Sequence, residues 1–258
     1  MKKEMFFLVS AFFFMSMTAI TVVYAVEEEA KEKSKVIAES EVDISGDGLA
    51  ENIVVKGTLL EENESLYKNI TIHISDPNGH NQKIDLEDGF KPKLTFRDLN
   101  RDGAQDILVA VPTHGSGGVS NYYLYTAKDF QVTDLTVPDP LVVQSQFLNG
   151  YKAKITIENN HKTYKFNLKN RAEDYESTGL YFQGKMNEPT ELMIHAYSKL
   201  EPVKVRGKKV GLKGTQQISG AYDADVIGRI ESTWVFQNGK WELLRTKVFE
   251  TSYEKGKE

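Results

Sequence analysis

The sequence predicts an all-β protein of antiparallel strands, and three observations support this fold class. Short alternating or β-branched runs recur along the chain and are separated by turn residues. Near the carboxyl end, Asn238-Gly239 stands between two such runs, and this pair accepts the positive φ angles of a tight hairpin turn. An acidic, glycine-containing motif also occurs twice, each time directly before a β run.

The amino end is predicted to be a signal peptide over residues 1–25. Lys2 and Lys3 precede an apolar run, and Val23-Tyr24-Ala25 has the small-x-small form of a cleavage site. The alternative is an uncleaved anchor, because an apolar run of this length could span a bilayer. Cleavage would give a secreted or cell-wall-associated protein without a stable membrane span. Residues 26–40 are rich in Glu and Lys and are predicted to form a flexible linker.

Composition narrows the classes of function. The whole chain has 258 residues and a net charge of -5. Removing Lys2, Lys3 and Glu4 with the signal peptide takes away +1 and leaves -6. This charge argues against a nucleic-acid partner. The absence of cysteine excludes disulfides, thiol chemistry and lipid attachment at a cysteine. Residues 41–258 are long enough for a single domain with a real core.

Ten runs are predicted as strands, and one segment as a helix. The strand runs are NIVVKG, NITIHIS, LTFRDL, DILVAV, NYYLYT, LVVQSQF, KAKITIE, TYKFNL, STWVFQ and KWELLRTKVF. The helix candidate is PTELMIHAYSKL, residues 189–200, with Pro189 in its first turn and an apolar side formed by Leu192, Ile194 to Tyr197, and Leu200. Its length indicates a short connecting helix.

An internal repeat organises the chain. DISGDGLAENIVV begins at Asp43 and DLNRDGAQDILVA begins at Asp98, and both have the form D-x-[SN]-x-D-G-x-x-[DE]. A turn pair precedes the β run near Tyr151, and charged side chains alternate from Lys204 onward. These positions predict four degenerate units of roughly 53 residues, near 43–97, 98–150, 151–203 and 204–258.

The repeated loop has the residues of a calcium site. Calcium binds six to eight oxygens, and alternating acidic side chains on a tight loop can supply them. The candidate ligands are Asp43, Ser45, Asp47 and Glu51 in the first loop, and Asp98, Asn100, Asp102 and Asp106 in the second. We therefore expect two structural Ca²⁺ sites. The first should bind more weakly, because a serine stands where the second loop has an amide.

Two alternatives remain open for these loops. Asp, Asn and Gly are also the residues that tight turns prefer, with or without a metal. At the third copy, Lys204, Arg206 and Lys208 stand at the ligand positions. An ammonium group could replace the cation there, or the segment could be an unrelated exposed basic loop.

The two loops resemble the calcium-binding repeat called FG-GAP or VCBS, which occurs in β-propellers and in many exported bacterial proteins. The resemblance is specific over residues 43–55 and 98–111 and implies propeller-like β repeats with bound calcium. The order of the two loops, GSGG before NYYLY, and QQISGAYDADVIG before a Trp-containing hairpin also resembles a group of exported proteins of spore-forming Gram-positive bacteria.

Other candidate sites are weaker. PTHGSGGVSNYYLY, residues 112–125, lacks the flanking glycines of a nucleophile elbow and is predicted to be a flexible connection, with a ligand-contacting loop as the alternative. The five histidines have no zinc-ligand spacing. Three tyrosines and two tryptophans could stack on a sugar, although sheet packing explains the tyrosines better; they are Tyr122, Tyr123, Tyr125, Trp234 and Trp241.

These observations favour a non-catalytic, calcium-stabilised binding or structural module of the cell envelope, with a cell-wall glycan or an envelope protein as its partner. The alternative is a hydrolase of cell-wall glycan, or an accessory subunit of one, whose calcium holds only the scaffold.

Overall fold

Antiparallel β-sheets follow one another along the chain. The computed structural model describes residues 34–60, 63–205, 207 and 209–252, so the predicted signal peptide lies outside the described residues. The first strands are β1 (Ser34–Val42), β2 (Glu51–Leu60), β3 (Asn63–Ser75), β4 (Asn81–Asp85), β5 (Gly89–Phe90), β6 (Lys93–Arg97), β7 (Asp106–Pro112), β8 (Ser120–Thr126) and β9 (Thr133–Asp134). The later elements are β10 (Val143–Leu148), β11 (Lys152–Ile157), β12 (Lys162–Asn167), helix α1 (Ala172–Ser177), β13 (Tyr181–Phe182), β14 (Lys185–Met186), β15 (Met193–Lys204), β16 (Val210–Ser219), β17 (Val226–Gln237) and β18 (Lys240–Glu250).

Each sheet is a meander of sequential strands. Sheet 1 has the order β1-β2-β3-β4, with β5 also paired to β3; sheet 2 is β6-β7-β8-β9; sheet 3 is β10-β11-β12; sheet 4 is β15-β16-β17-β18. The short strands β13 and β14 pair with each other. All the pairings are antiparallel, which confirms the predicted fold class.

Strand β7 lies at the junction between the sheets. Ile107 and Val109 belong to a core with sheet 1. The next residue, Leu108, lies on the opposite face and packs with Leu200 and Leu212 of sheet 4. Because both faces are covered, this strand is an unbroken apolar run and does not alternate.

A second core lies between sheets 3 and 4. Phe147 and Ile155 of sheet 3 pack with Ile230 of sheet 4, and Tyr175 of α1 is buried among them. Next to this core, Arg171 Nε donates to Asp225 Oδ1 at 2.9 Å, and both side chains are only 4% exposed.

The predicted hairpin around Asn238-Gly239 is confirmed. It joins β17 to β18, and the two turn residues have φ angles of 53° and 74°. No helix among the described residues is long and apolar enough to span a bilayer.

The helix predicted over residues 189–200 is wrong, because this segment contains most of β15. Its register against β16 shifts between Ile194 and Tyr197 and again between Tyr197 and Lys199. Such bulges insert extra residues and disturb strict alternation. The buried positions therefore fall at Tyr197 and Leu200, three apart, and imitate a helical stripe. The one α-helix of the described residues is α1.

The linker predicted over residues 26–40 is wrong from residue 34 onward. Residues 26–33 lie outside the described residues, but residues 34–40 belong to strand β1, which pairs with β2 along its length. Most side chains of β1 are at least partly exposed and only Ile37 is buried, so the segment has the polar composition of a linker.

Candidate functional site: two acidic loops and their surroundings

The two predicted calcium loops occupy equivalent places in their sheets. Loop 1, residues 43–50, joins β1 to β2, and loop 2, residues 98–105, joins β6 to β7. Each loop therefore connects the first strand of a sheet to the second. The corresponding connections in sheets 3 and 4 are the turn at residues 149–151 and the loop at residues 205–209.

In loop 1, the aspartate side chains accept hydrogen bonds from backbone N–H groups of the same loop. Asp43 Oδ1 accepts a hydrogen bond from Gly46 N at 2.7 Å, and Asp43 Oδ2 accepts one from Gly48 N at 3.1 Å. Asp47 Oδ1 accepts a hydrogen bond from Leu49 N at 2.8 Å. These bonds hold the loop in a tight curl.

Loop 2 repeats the pattern bond for bond. Asp98 Oδ1 accepts from Arg101 N at 2.6 Å, and Asp98 Oδ2 accepts from Gly103 N at 3.3 Å. Asp102 Oδ1 accepts from Ala104 N at 2.9 Å. The sequence repeat is thus also a repeat of backbone conformation.

The ninth residue of each motif closes its loop from the first position of the following strand. Glu51 Oε2 accepts hydrogen bonds from Ile44 N and Ser45 N at 2.8 and 3.1 Å. Asp106 Oδ2 accepts from the two equivalent backbone N–H groups at 2.7 and 3.1 Å. Both carboxylates therefore help to fix the start of their loops.

The second oxygen of each closing carboxylate is buried without a partner. Glu51 and Asp106 are both 0% exposed. Glu51 Oε1 and Asp106 Oδ1 have no hydrogen-bond partner among the described residues. A buried carboxylate oxygen without a donor or a cation is costly, and burial raises the pKa of Asp106 to about 6. Each loop therefore contains one buried carboxylate oxygen that no donor of the described residues compensates.

The two loops differ in how far their ligand atoms converge. One ligand atom from each of Asp43, Asp47 and Glu51 lies within 4.8 Å of the others, and this cluster is the one such group among the described residues. In loop 2, Asp102 Oδ2 instead accepts hydrogen bonds from Asn100 Nδ2 at 2.7 Å and from Thr126 Oγ1 at 3.2 Å. The structure thus brings the carboxylates of loop 1 together and engages Asp102 of loop 2 with neighbouring donors.

The loops lie side by side where sheets 1 and 2 meet. A Cβ atom on Gly46 would lie 3.4 Å from the methyl group of Ala104. Asp129 N donates to Ser45 O at 3.0 Å, and Lys128 Nζ donates to Asp102 O. One short segment after β8 therefore contacts both loops.

The predicted third loop lies next to loop 2. Arg206 and Lys208 are outside the described residues, whereas Lys209 O accepts a hydrogen bond from Val205 N at 2.9 Å. An open cavity of about 560 Å³ separates the two loops; its lining residues are Arg97, Asp98, Arg101, Gln105, Lys209 and Val210. Sequence reasoning did not identify Arg97 and Arg101. The sequence contains one signal for a basic site here, because Arg101 stands where the first motif has Gly46.

The glycine-rich connection contacts a histidine of sheet 4. His195 Nδ1 would lie 2.8 Å from a Cβ atom on Gly117, so only glycine permits this close approach. On its other side, His195 Nε2 lies 3.2 Å from Asp223 Oδ1. The connection thus packs against sheet 4.

The tyrosines of β8 pack between sheets. Tyr123 and Tyr125 lie against the core of sheet 1, and Tyr122 lies on the opposite face. The Tyr122 hydroxyl accepts a hydrogen bond from Leu200 N at 3.0 Å. This arrangement follows from strand alternation, as the sequence predicts.

The tryptophans lie elsewhere, in a cavity of about 460 Å³ between residues 135–142 and the β17–β18 hairpin. Trp241 Nε1 donates to Thr136 O at 3.1 Å, and its ring meets that of Phe236 at 72° and 5.3 Å between centroids. Trp234 forms part of the same wall, and Asp139 also lines the cavity.

The fold and the loops define a class: an all-β protein of antiparallel meanders in which two acidic loops repeat one conformation. Comparison with known proteins adds a relative. The model of the YybI C-terminal domain matches residues 141–249, which include sheets 3 and 4. The chain is also 28% identical over 221 residues to the uncharacterized protein YybI of Bacillus subtilis strain 168, over 83% of this chain and 84% of YybI. The chain is therefore homologous to a protein of a Gram-positive bacterium.

A solved structure, that of rhamnogalacturonan lyase YesW, aligns with a TM-score of 0.36 at 15% identity. The alignment covers 83% of this chain but only 34% of the lyase, so the chain spans about a third of that protein.

Proposed function

We propose that this chain is an exported, calcium-stabilised β-repeat protein that acts as a non-catalytic binding or structural module of the cell envelope. The observation that carries the proposal is the pair of fully buried carboxylates, Glu51 and Asp106, each with one oxygen unpartnered beside an acidic loop. One such carboxylate could be an accident of packing. Two in equivalent positions of matching loops favour a common ligand.

Calcium fits this donor set better than a softer metal does. The candidate ligands are carboxylate, hydroxyl and amide oxygens, and hard cations such as calcium prefer oxygen ligands in flexible geometry. The candidate ligand residues include no histidine, and the chain has no cysteine for a zinc site. In loop 1 the carboxylates of Asp43, Asp47 and Glu51 would hold the ion, with Ser45 as a weaker neighbour. In loop 2 the corresponding residues are Asp98, Asn100, Asp102 and Asp106.

The role of the cation in this proposal is structural. Each loop fixes the entry to the second strand of its sheet, and the two loops contact each other between sheets 1 and 2. Neutralising their carboxylates would therefore strengthen the connection between the sheets. In each of sheets 1 to 4, a predicted repeat unit begins at the connection between the first and second strands. This regular position supports four degenerate, propeller-like units, of which the first two keep the metal ligands.

The test is thermal unfolding of the purified protein in calcium, in magnesium and in chelator. A ligand that binds only the folded state adds about 2.7 kcal/mol of stability at a hundredfold excess over its dissociation constant. We expect a higher melting temperature in millimolar calcium, and a smaller increment in Glu51→Gln and Asp106→Asn, which keep the side-chain shape but remove the charge. Identical melting curves in calcium and chelator would contradict the proposal.

A second candidate function is supported by the aromatic cavity. A hydrolase of cell-wall glycan, or its accessory subunit, needs a surface on which sugar rings stack, and Trp241 and Phe236 provide aromatic faces beside the Asp139 carboxylate. Release of reducing ends from cell-wall glycan, lost in both Trp241→Ala and Asp139→Asn, would favour the hydrolase. Glycan binding without turnover, lost in Trp241→Ala alone, would favour the binding module.

A further inference from the structure

Arg101 occupies a backbone position that suits glycine. Its φ angle is 67°, and the equivalent residue of loop 1 is Gly46, with a φ angle of 82°. Both residues donate the same backbone hydrogen bond to the first aspartate of their loop, at 2.6 and 2.7 Å. A side chain in this left-handed region is disfavoured, whereas glycine adopts it freely. The loop fold therefore does not account for an arginine here.

The side chain of Arg101 belongs to a basic cluster around the open cavity of about 560 Å³ between loop 2 and the β15–β16 loop. Arg97 at the end of β6 and Lys209 directly before β16 line the same cavity, and all three residues are exposed. None of the three forms an ion pair with a described residue.

One carboxylate, that of Asp98, lines the same cavity and offsets one of the three positive charges, which leaves an excess of two. Both oxygens of Asp98 turn back into loop 2 and accept backbone hydrogen bonds from Arg101 and Gly103. The remaining excess of positive charge around the cavity favours a bound anion. Guanidinium groups present planar donor pairs that match the oxygens of phosphate or carboxylate.

We propose that this cavity is a binding site for a multivalent oxyanion, with Arg97, Arg101 and Lys209 as its cationic ligands. Two sources share that chemistry, namely a chain of phosphate groups and a polycarboxylate. The cavity volume lies within the range of small-ligand sites. The proposal does not depend on calcium in loop 2, because its three ligands carry their charge without a metal.

The experiment titrates the full-length chain with tripolyphosphate and, separately, with citrate by isothermal calorimetry at low salt. Calcium is omitted because both anions chelate it, so failure here is distinct from failure of the calcium proposal. Arg101→Gly should bind the anion about tenfold more weakly or worse, the effect of losing a charge-assisted hydrogen bond. It should melt no lower than the parent chain, because glycine is the residue that the backbone conformation favours.

Arg245→Ala is the matched control, because it removes one exposed positive charge from β18, outside the cavity. It should bind the anion as the parent does. Tighter binding of tripolyphosphate identifies a phosphate chain as the source, tighter binding of citrate identifies a polycarboxylate, and both support an oxyanion site. The proposal is overturned if the parent binds neither anion, if Arg101→Gly and Arg245→Ala bind equally well, or if Arg101→Gly lowers the melting temperature.

Discussion

Asp102, a proposed calcium ligand, also holds loop 2 together without a metal. Its carboxylate accepts hydrogen bonds from Asn100 Nδ2, Thr126 Oγ1 and Ala104 N. The Thr126 bond ties loop 2 to the end of β8. The equivalent Asp47 of loop 1 is exposed, and its side chain accepts one hydrogen bond, from Leu49 N. The two matching aspartates therefore contribute differently to the stability of the metal-free fold.

We predict that Asp102→Ala and Asp47→Ala differ even without calcium. In chelator, Asp102→Ala should lower the free energy of unfolding by about 2 to 3 kcal/mol, because it leaves several donors without their acceptor. Asp47→Ala should cost less than about 1 kcal/mol under the same conditions and should mainly reduce the increment that calcium adds. Urea unfolding with and without calcium measures both quantities. Equal losses in chelator would contradict the role of the Thr126 bond.

At the residue scale, the sequence predicts the conformation of the two loops better than the contacts of their side chains. The D-x-[SN]-x-D-G-x-x-[DE] spacing predicts both loops, and the same pattern of backbone hydrogen bonds is found in each. The sequence cannot show that Asn100 donates its amide to Asp102, because the rotamers of neighbouring side chains decide that bond. Nor can it show that Glu51 and Asp106 are fully buried, since their burial depends on how the sheets pack.

At the scale of elements, helix α1 is attached to sheet 4 by a buried ionic network. Besides its bond to Arg171, Asp225 accepts hydrogen bonds from the Tyr175 hydroxyl at 2.6 Å and from Ala221 N at 3.0 Å. Arg171 also donates from Nη2 to Val226 O at 2.9 Å. Together these bonds join the start of α1 to the start of β17.

Asp225→Ala should therefore destabilise the protein by about 3 to 5 kcal/mol, because it removes the carboxylate that compensates the buried charge of Arg171. Arg229→Ala is the control, since the ion pair between Arg229 and Glu231 spans 3.3 Å at the surface and the arginine side chain is 47% exposed. That substitution should change stability by less than about 1 kcal/mol. Chemical denaturation compares the two variants, and a similar small loss for both would refute the network.

Elements were predictable where burial follows a regular period. Strands β2 and β7 carry alternating or continuous apolar runs and were predicted, as was the second half of β17, residues 232–237. Strand β15 was not, because its two register shifts place Tyr197 and Leu200 three residues apart on the buried face. Strand β1 is largely exposed, so its polar composition resembles that of a linker. In both cases the strand is determined by its pairing with a neighbouring strand, and the pattern of its own residues does not reveal it.

At the scale of the whole molecule, sheet 2 connects the amino-terminal core to sheet 4. Two consecutive residues of β7 face opposite ways, Ile107 toward sheet 1 and Leu108 toward sheet 4. Both are buried, so replacing either by alanine should cost about 2 to 5 kcal/mol. Their similar burial makes them matched probes of the two sides of the strand.

Ile107→Ala should lower the stability of a single cooperative transition. Leu108→Ala weakens the contact between the halves, so it should separate the unfolding of residues 34–134 from that of residues 141–252. Calorimetry detects the difference, and tryptophan fluorescence follows the second half because Trp234 and Trp241 both lie there. One transition of equal width in both variants would contradict the bridging role of sheet 2.

The central position of β7 has a consequence for the exchange of amide protons with solvent. Its backbone pairs with β6 on one edge and with β8 on the other, and side chains cover both of its faces. Local fraying therefore cannot expose these amides, and deuterium should enter them only when the molecule opens globally. Their exchange rate reports the stability of the entire fold, whereas the amides of residues 43–50 and 98–105 report the loops alone. A cation that merely tightened its own loop would slow exchange there and leave β7 unchanged, whereas one that stabilised the whole protein would slow both.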